Sequence, residues 1–273
     1  MLYYIDTGKE TSVLGNEDTY GLGELVIGHP HGTFALTAAS RVMLQAIASH
    51  QGLLHGTGID WGSGVGGLAI LAAKIASVSA VYGLEIFEQN IDAAVENARV
   101  NNVSHKVRFL WSDSYTPYRQ EDRLKLEALK GSIDFIVSNP PSSEGDDGFT
   151  FRRIVLQGAR DYLKKGGIVL LNISFQYGAE RIRSLTAQMP EYTYRGIVAT
   201  TEPEPFDLAR QDLLDCVRQY VNEEQNGKTP YTFIGEGGDE NCLISAQEAF
   251  ERYEKYAVSP LSKWQTHLFE YCG

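Results

Sequence analysis

Two clusters of residues in this chain of 273 amino acids have the types and spacing to do chemistry. The first is Gly58-Ile59-Asp60-Trp61-Gly62-Ser63-Gly64-Val65-Gly66-Gly67, and the second is Ser138-Asn139-Pro140-Pro141. Gly62, Gly64 and Gly67 spell G-x-G-x-x-G, a turn from strand to helix whose backbone lies against a ligand with no Cβ in the way. Glu85 follows at the end of Ala80-Val81-Tyr82-Gly83-Leu84, where a dinucleotide fold places a ribose carboxylate. Two features favour S-adenosylmethionine over a nicotinamide here. Asp60, just before the turn, would crowd a pyrophosphate but can pair, directly or through water, with the cationic amino-acid end of S-adenosylmethionine. The second feature is Asn139-Pro140-Pro141, for which a dehydrogenase has no use.

The second cluster points to a reaction type. A nitrogen bonded to a carbonyl or an aromatic ring has a delocalised lone pair and is a poor nucleophile. Acceptors aimed at its protons reduce that conjugation. The Asn139 side-chain oxygen and the Pro140 carbonyl would supply them, while Pro140 and Pro141 stiffen the backbone. Catalysis would then rest on alignment of nitrogen, methyl and sulfur, with no base of shifted pKa.

The surrounding elements must place these groups at strand ends. Ala80 to Leu84, Val107 to Trp111, Ile133 to Val137 and Ile168 to Leu171 are short apolar runs separated by helical patterns, as buried parallel strands are. Helical spacing follows the glycine turn in Leu68 to Ala73 and recurs at Ile91, Ala94, Val95 and Ala98. An α/β, doubly wound sheet with helices on both faces is expected, its ligands at the carboxyl ends of the strands. Asp60, Glu85, Asp113 and Asn139 all fall at such ends. Glu85 is expected to accept from both ribose hydroxyls, and Asp113 to take the adenine amino group.

The run from Gly58 to about Gln188 resembles class I methyltransferases, most closely the HemK-type enzymes that methylate a glutamine side-chain amide in peptide-chain release factors. The likeness continues in Asp147-Gly148-Phe149, in Phe151-Arg152-Arg153-Ile154, in Tyr162 to Leu171 and in Gln176-Tyr177-Gly178, and upstream in Phe34-Ala35-Leu36-Thr37. It implies a seven-stranded Rossmann-like sheet and S-adenosylmethionine as cofactor. It further implies cofactor contacts from Thr37, Asp60, Trp61, Gly62, Gly64, Gly66, Glu85, Ile86, Asp113, Ser114 and Asn139, with Asn139, Pro140 and Pro141 as the catalytic clamp. Three departures bear on the substrate. Ser142 stands where that family usually has an aromatic residue to stack on the target amide, which leaves Tyr177, Phe149, Tyr231 and Phe233 as candidates for the stack. Asn172 stands where a strand glutamate is usual. The segment before the turn is also shorter than that family's release-factor-binding domain.

Charge narrows the acceptor. The formal net charge of −11 and a pI near 5.0 disfavour phosphate binding, which relies on Lys and Arg. From Glu202 to Tyr256 there are thirteen Asp and Glu against five Lys and Arg. Residues 204–259 read as an acidic helical insertion before a last strand at Thr266 to Tyr271, either covering the site or packing at the periphery. Its first helix carries Leu213, Leu214, Val217, Tyr220 and Val221 on one side, and its second opens at Ser245 with Glu248 in a capping-box pattern. Residues 1–50 read as an extension packing near the cofactor site, and 51–203 with 260–273 as the cofactor-binding domain. Cys216, Cys242 and Cys272 form neither a disulfide framework nor a zinc pattern, which suits a reducing, cytoplasmic setting. Met1-Leu2-Tyr3-Tyr4 is not followed by a signal-peptide core, and no apolar run approaches spanning length. His29-Pro30-His31 lacks the further ligands of a metal site.

Three readings remain open on the residues alone. They are a methyltransferase acting on an amide or amino nitrogen of a protein, a small molecule or a nucleic acid, a nicotinamide-dependent oxidoreductase, and a non-catalytic cofactor-binding subunit.

Overall fold

The computed structural model describes residues 10–33, 35–142, 147–235 and 237–273; Phe34 and the run from Met1 to Tyr4 lie outside them. The chain opens with a hairpin, β1 (Thr11–Leu14) and β2 (Leu25–Gly28), followed by α1 (Ala38–Ser49). The alternating region then runs β3 (Gly56–Trp61), α2 (Gly67–Lys74), β4 (Val78–Glu85), α3 (Glu88–Val100), β5 (Val107–Asp113), β6 (Thr116–Pro117), α4 (Gln120–Glu127), β7 (Ile133–Ser138), α5 (Thr150–Tyr162), β8 (Leu163–Asn172), α6 (Gly178–Gln188) and β9 (Tyr192–Thr200). The last part is β10 (Glu204–Pro205), α7 (Gln211–Gln225), β11 (Phe233–Ile234), β12 (Leu243–Ile244), α8 (Ala246–Tyr256), β13 (Leu261–Ser262) and β14 (Gln265–Tyr271).

The main sheet has the order β6-β5-β4-β3-β7-β8-β14-β9. Strands β5, β4, β3, β7 and β8 are parallel, and β14 and β9 complete the sheet antiparallel. Seven long strands match the number the family resemblance implies; β9 is not marked by any of the apolar runs read from the sequence, and β6 adds a two-residue edge. Chain order reverses between β3 and β7, so the ligand crevice of a doubly wound sheet opens at their carboxyl ends. There Trp61 pairs in register with Ser138, whose Oγ donates to the Trp61 carbonyl at 3.0 Å. The glycine turn and the Asn-Pro-Pro clamp therefore leave the sheet side by side.

Period-two patterning in the buried strands splits the core into two layers. Phe135 and Val137 of β7 and Leu170 of β8 pack with α1 and α2 on one face. Ile136, Val169 and Leu171 pack with α5 on the other. The N-terminal hairpin is fastened along α3, where Asn97 and Asn101 side chains each exchange hydrogen bonds with the β2 backbone at 2.6–3.1 Å. Nearer the start of α3, Gln89 donates to the Gly32 carbonyl at 2.9 Å. Among the described residues no helix is long and apolar enough to cross a membrane.

The acidic segment 204–259 is continuous with the core. Phe206, Val217, Tyr220, Tyr231, Phe233 and Ala249 share one buried cluster with Leu171, Tyr177 and Phe269. The rings of Tyr220 and Tyr231 stack at 3.8 Å, the Arg181 guanidinium lies 3.8 Å from the Tyr231 centroid, and the Tyr231 hydroxyl donates to Glu223 at 2.7 Å. Truncating this ring removes a large buried side chain and takes the donor from Glu223 Oε2, leaving the carboxylate with Gln219 Nε2 at 3.0 Å on Oε1. Tyr231→Ala is expected to cost about 3–5 kcal/mol and to lower the melting midpoint by roughly 6–20 °C, read by scanning calorimetry. A shift below about 2 °C would show that the insertion packs peripherally.

Candidate functional site

At the glycine turn the backbone adopts conformations that side chains resist. Gly64 has φ 53° and Gly66 has φ 89°, and a Cβ on Gly66 would come within 2.7 Å of the Phe109 ring. The turn is tied to the end of β4 through Glu85. One carboxylate oxygen accepts from the Gly64 N–H at 2.7 Å, and the other from the Phe87 N–H at 2.8 Å and Asn90 Nδ2 at 3.1 Å. Burial pushes the Glu85 carboxyl up, and these donors, Phe87 and Gly64 first, pull it back. With the Ile86 N–H, which acts on the carboxyl in the same sense, they draw on about all four lone-pair positions of a carboxylate, so the two expected ribose hydroxyls would have to share acceptors already in use.

Asp60 sits deeper than the sequence suggests. It is 0% exposed, and Oδ2 accepts from the Ala69 N–H at 2.9 Å. The reason lies in α2, whose N-cap is Gly66 and brings no side chain, so Asp60 satisfies an amide of the first helical turn instead. Desolvation, opposed by the Ala69 N–H and reinforced by the field of Glu85, pushes the Asp60 carboxyl up to about 7. Direct pairing of Asp60 with a cationic ligand group is closed off by this burial. Its other oxygen, Oδ1, is equally buried and has no hydrogen-bond partner among the described residues.

The clamp is wired to the N-terminus of α1. Asn139 Nδ2 donates to Ser40 Oγ at 3.3 Å, and Asn139 Oδ1 accepts from Asn172 Nδ2 at 2.8 Å. Asn172 Nδ2 also donates to the Ala39 carbonyl at 2.7 Å. Thr37 is the N-cap of α1 and accepts from the Ser40 N–H at 3.3 Å, which places it one contact from the clamp. Behind Pro141, the buried Arg152 donates to the carbonyls of Asn172, Pro141 and Gly148 at 3.0–3.3 Å.

The remaining expected residues divide into two groups. Trp61 Nε1 donates to Ser114 Oγ at 2.8 Å, joining the ends of β3 and β5, and Ser114 holds a left-handed φ of 52°. Asp113 and Ile86 are exposed at the same rim, and the Ile86 carbonyl accepts from Trp111 Nε1 at 2.9 Å. The aromatic residues considered as a stack for the acceptor are not brought to the clamp as open faces. Phe149, Tyr231 and Phe233 are buried in the core, and Tyr177 is 2% exposed. Their rings are used in knitting α5, α6 and the insertion together; Tyr177 reaches the clamp only through its hydroxyl, which donates to Ser142 Oγ at 3.0 Å.

Comparisons with known proteins bear on this arrangement. Residues 29–194 match the family model described as methyltransferase small domain. The chain belongs to that family. It is 30% identical over 139 residues to a release factor glutamine methyltransferase of Francisella tularensis subsp. tularensis, covering 43% of this chain and 44% of that one. It is 27% identical over 154 residues to ribosomal RNA small subunit methyltransferase C of Erwinia tasmaniensis, covering 55% and 40%. A tRNA methyltransferase structure from M. jannaschii superposes with a TM-score of 0.51 at 10% identity, over 98% of this chain and 59% of that one, a likeness of fold alone. The chain spans about half the length of the curated relatives it matches. Family and fold uphold the class I methyltransferase reading with S-adenosylmethionine as cofactor, and set the nicotinamide reading aside.

Several residues of this candidate site carry no motif of their own. Asn90 and Ser40 become visible only through their partners, Arg152 is marked in the sequence only as part of the HemK-like run Phe151-Arg152-Arg153-Ile154, and Asn172 only as a departure from the HemK pattern. Asp60 also yields a stability test. Its folded pKa, about 7, lies above its ordinary value of 3.8, so its contribution is full below the lower value and is lost as pH rises through the upper one. Asp60→Asn keeps an acceptor for Ala69 without the charge. The variant is expected to match the parent in urea denaturation near about pH 4 and to exceed it near about pH 8, by about 1.4 kcal/mol for each pH unit lost. An equal difference at both pH values would place the Asp60 titration elsewhere.

Proposed function

We propose that this protein transfers a methyl group from S-adenosylmethionine to a planar amide or amino nitrogen of a protein or small molecule. The observation that carries the proposal is Asn139 at the end of β7, next to the glycine turn at the end of β3, with Oδ1 turned to a single donor among the described residues. A carbonyl oxygen has two lone pairs, so one remains for an acceptor N–H. The bound cofactor supplies an electrophilic methyl on a sulfonium. Asn139 Oδ1 and the Pro140 carbonyl draw on the nitrogen's protons and loosen its conjugation, and Pro140 and Pro141 keep the two acceptors at fixed spacing. The nitrogen sheds its proton after transfer, so the raised carboxyl of Asp60 is not required as a base.

Support for cofactor contacts comes from the turn at Gly62, Gly64 and Gly66, from Glu85 at the end of β4 beside it, and from the rim formed by Ile86, Asp113 and Ser114 beside Trp61. Thr37, near the clamp, completes the set. The acidic charge of −11 supports a protein or small-molecule acceptor over a nucleic acid, since each phosphate contact asks for a cation.

Cofactor carrying labelled methyl, incubated with cell extract and separated into protein, RNA and small-molecule fractions, tests the proposal. Label is expected in the protein or small-molecule fraction, on nitrogen. Asn139→Ala is expected to lower turnover by about a hundredfold or more, with cofactor affinity within about threefold. Glu85→Ala is expected to weaken S-adenosylmethionine at least about tenfold, or about 1.4 kcal/mol, by calorimetry. Label confined to RNA would reject the acceptor class, and full turnover in folded Asn139→Ala would reject the clamp.

A further inference from the structure

We infer that Asn172 is a positioning residue that fixes which atom of the Asn139 amide faces the methyl acceptor, a role that rests on the methyl-transfer function proposed above. The inference follows from a one-way chain of hydrogen bonds. The Ala39 carbonyl can only accept, and an Asn172 side-chain atom lies 2.7 Å from it, so that atom must be the nitrogen. The same nitrogen has a second proton, and Asn139 lies 2.8 Å away to take it. Asn139 therefore turns its oxygen toward Asn172 and its nitrogen toward Ser40 Oγ, at 3.3 Å. A backbone carbonyl on α1 thus dictates, through Asn172, the orientation of the Asn139 amide.

Asn172 holds this orientation at the expense of its own oxygen. Its side chain is 1% exposed, and Oδ1 has no partner among the described residues. Reversing the Asn172 amide would not recover that bond, because it would set Oδ1 against the Ala39 carbonyl. Thr266, which pairs in register with Asn172 across β8 and β14, also has a buried Oγ1 without a partner, so it does not redirect the Asn172 amide. The consequence for chemistry is one of sign. With Oδ1 fixed, Asn139 can accept from an incoming NH₂ group; reversed, it would meet that group donor to donor and have nothing to offer.

The unmodified protein gives the first test. In ¹⁵N-edited spectra, with the Asn139 amide assigned by its loss in Asn139→Asp, its NH₂ protons are expected to show cross-relaxation to the Ser40 β-protons and not to the Asn172 NH₂ group. Cross-relaxation between the two NH₂ groups without the Ser40 contact would overturn the inference, whatever the acceptor proves to be. Two variants then read the effect on transfer with the acceptor fraction found above. Asn172→Leu, of similar size and without donors, is expected to lower kcat between about tenfold and a hundredfold, with S-adenosylmethionine affinity within about twofold. Asn172→Thr retains one hydroxyl proton on a strand-compatible frame and is expected to fall between parent and Leu variant. Parent-like kcat in both variants, or equal losses of kcat and cofactor affinity, would overturn the inference. A parent protein that labels no fraction would instead refute the proposed function, and the spectra would still decide the orientation of Asn139.

Discussion

Backbone amides that have no partner within their own element organise this molecule. Where β3 runs into α2, the first N–H groups of the helix point out of the turn, and Gly66 as N-cap offers them nothing. Asp60 and Glu85 answer from the ends of two adjacent parallel strands, Asp60 to Ala69 and Glu85 to Gly64 and Phe87. Both carboxyl groups are buried enough that desolvation is the largest influence on each. A turn so held keeps its concave face before any ligand arrives, which is what a cofactor cradle must do to bind without reordering its backbone. Asn90 completes the holding of Glu85 from α3.

The second constraint is register. Parallel pairing of Trp61 with Ser138 sets the clamp one residue beyond the last pair, and the bond from Ser138 Oγ to the Trp61 carbonyl locks the two strand ends together. Any slip would move Asn139 relative to the turn and flip Ser138 to the other face. The pairing is fixed by burial on both sides, since Phe135 and Val137 feed one core layer and Ile136 the other.

What was legible in the chain depended on how local each physical cause is. The glycine turn, Glu85 at the end of β4 and the Asn-Pro-Pro run are set by neighbouring residue types, and the Ser245 capping box with Glu248 forms as its spacing implies. Strands β4, β5, β7, β8 and β14 and helices α2 and α3 follow from apolar runs and spacing, whereas β9 and α1, α4, α5 and α6 do not. The two-residue strands β10 to β13 did not, because no periodicity can develop over two residues. Asp60 is expected at the site from its place before the glycine turn, but its inward turn depends on an unfilled helix cap that only the folded α2 reveals. The aromatic residues proposed as a stack were misplaced for a similar reason. Tyr231 and Phe233 lie in an insertion whose sequence looks surface-like and acidic, while its apolar side is drawn into the same core as β8.

Arg152 shows how the clamp side is stabilised without a matching carboxylate. It is 4% exposed and forms no ion pair among the described residues. Burying a guanidinium is costly unless its donors are matched, and here they meet three backbone carbonyls, while the Phe149 and Tyr177 rings lie 5.4 and 4.7 Å from the charge. Those carbonyls belong to the end of β8, to Pro141 of the clamp and to the residue before α5, so one cation draws three chain segments together. A carboxylate partner would have withdrawn those donors from the backbone. The same charge acts on β14, where His267 is held down to about 4, by desolvation first and by Arg152 in addition. His267 therefore stays neutral. Its Nε2 donates to the Ile173 carbonyl, which can only accept, and its Nδ1 accepts from the Tyr194 hydroxyl. Arg152 thus keeps its charge beside a neutral His267, and its field and its donors are spent on fixing the backbone from which Asn139 and Asn172 project.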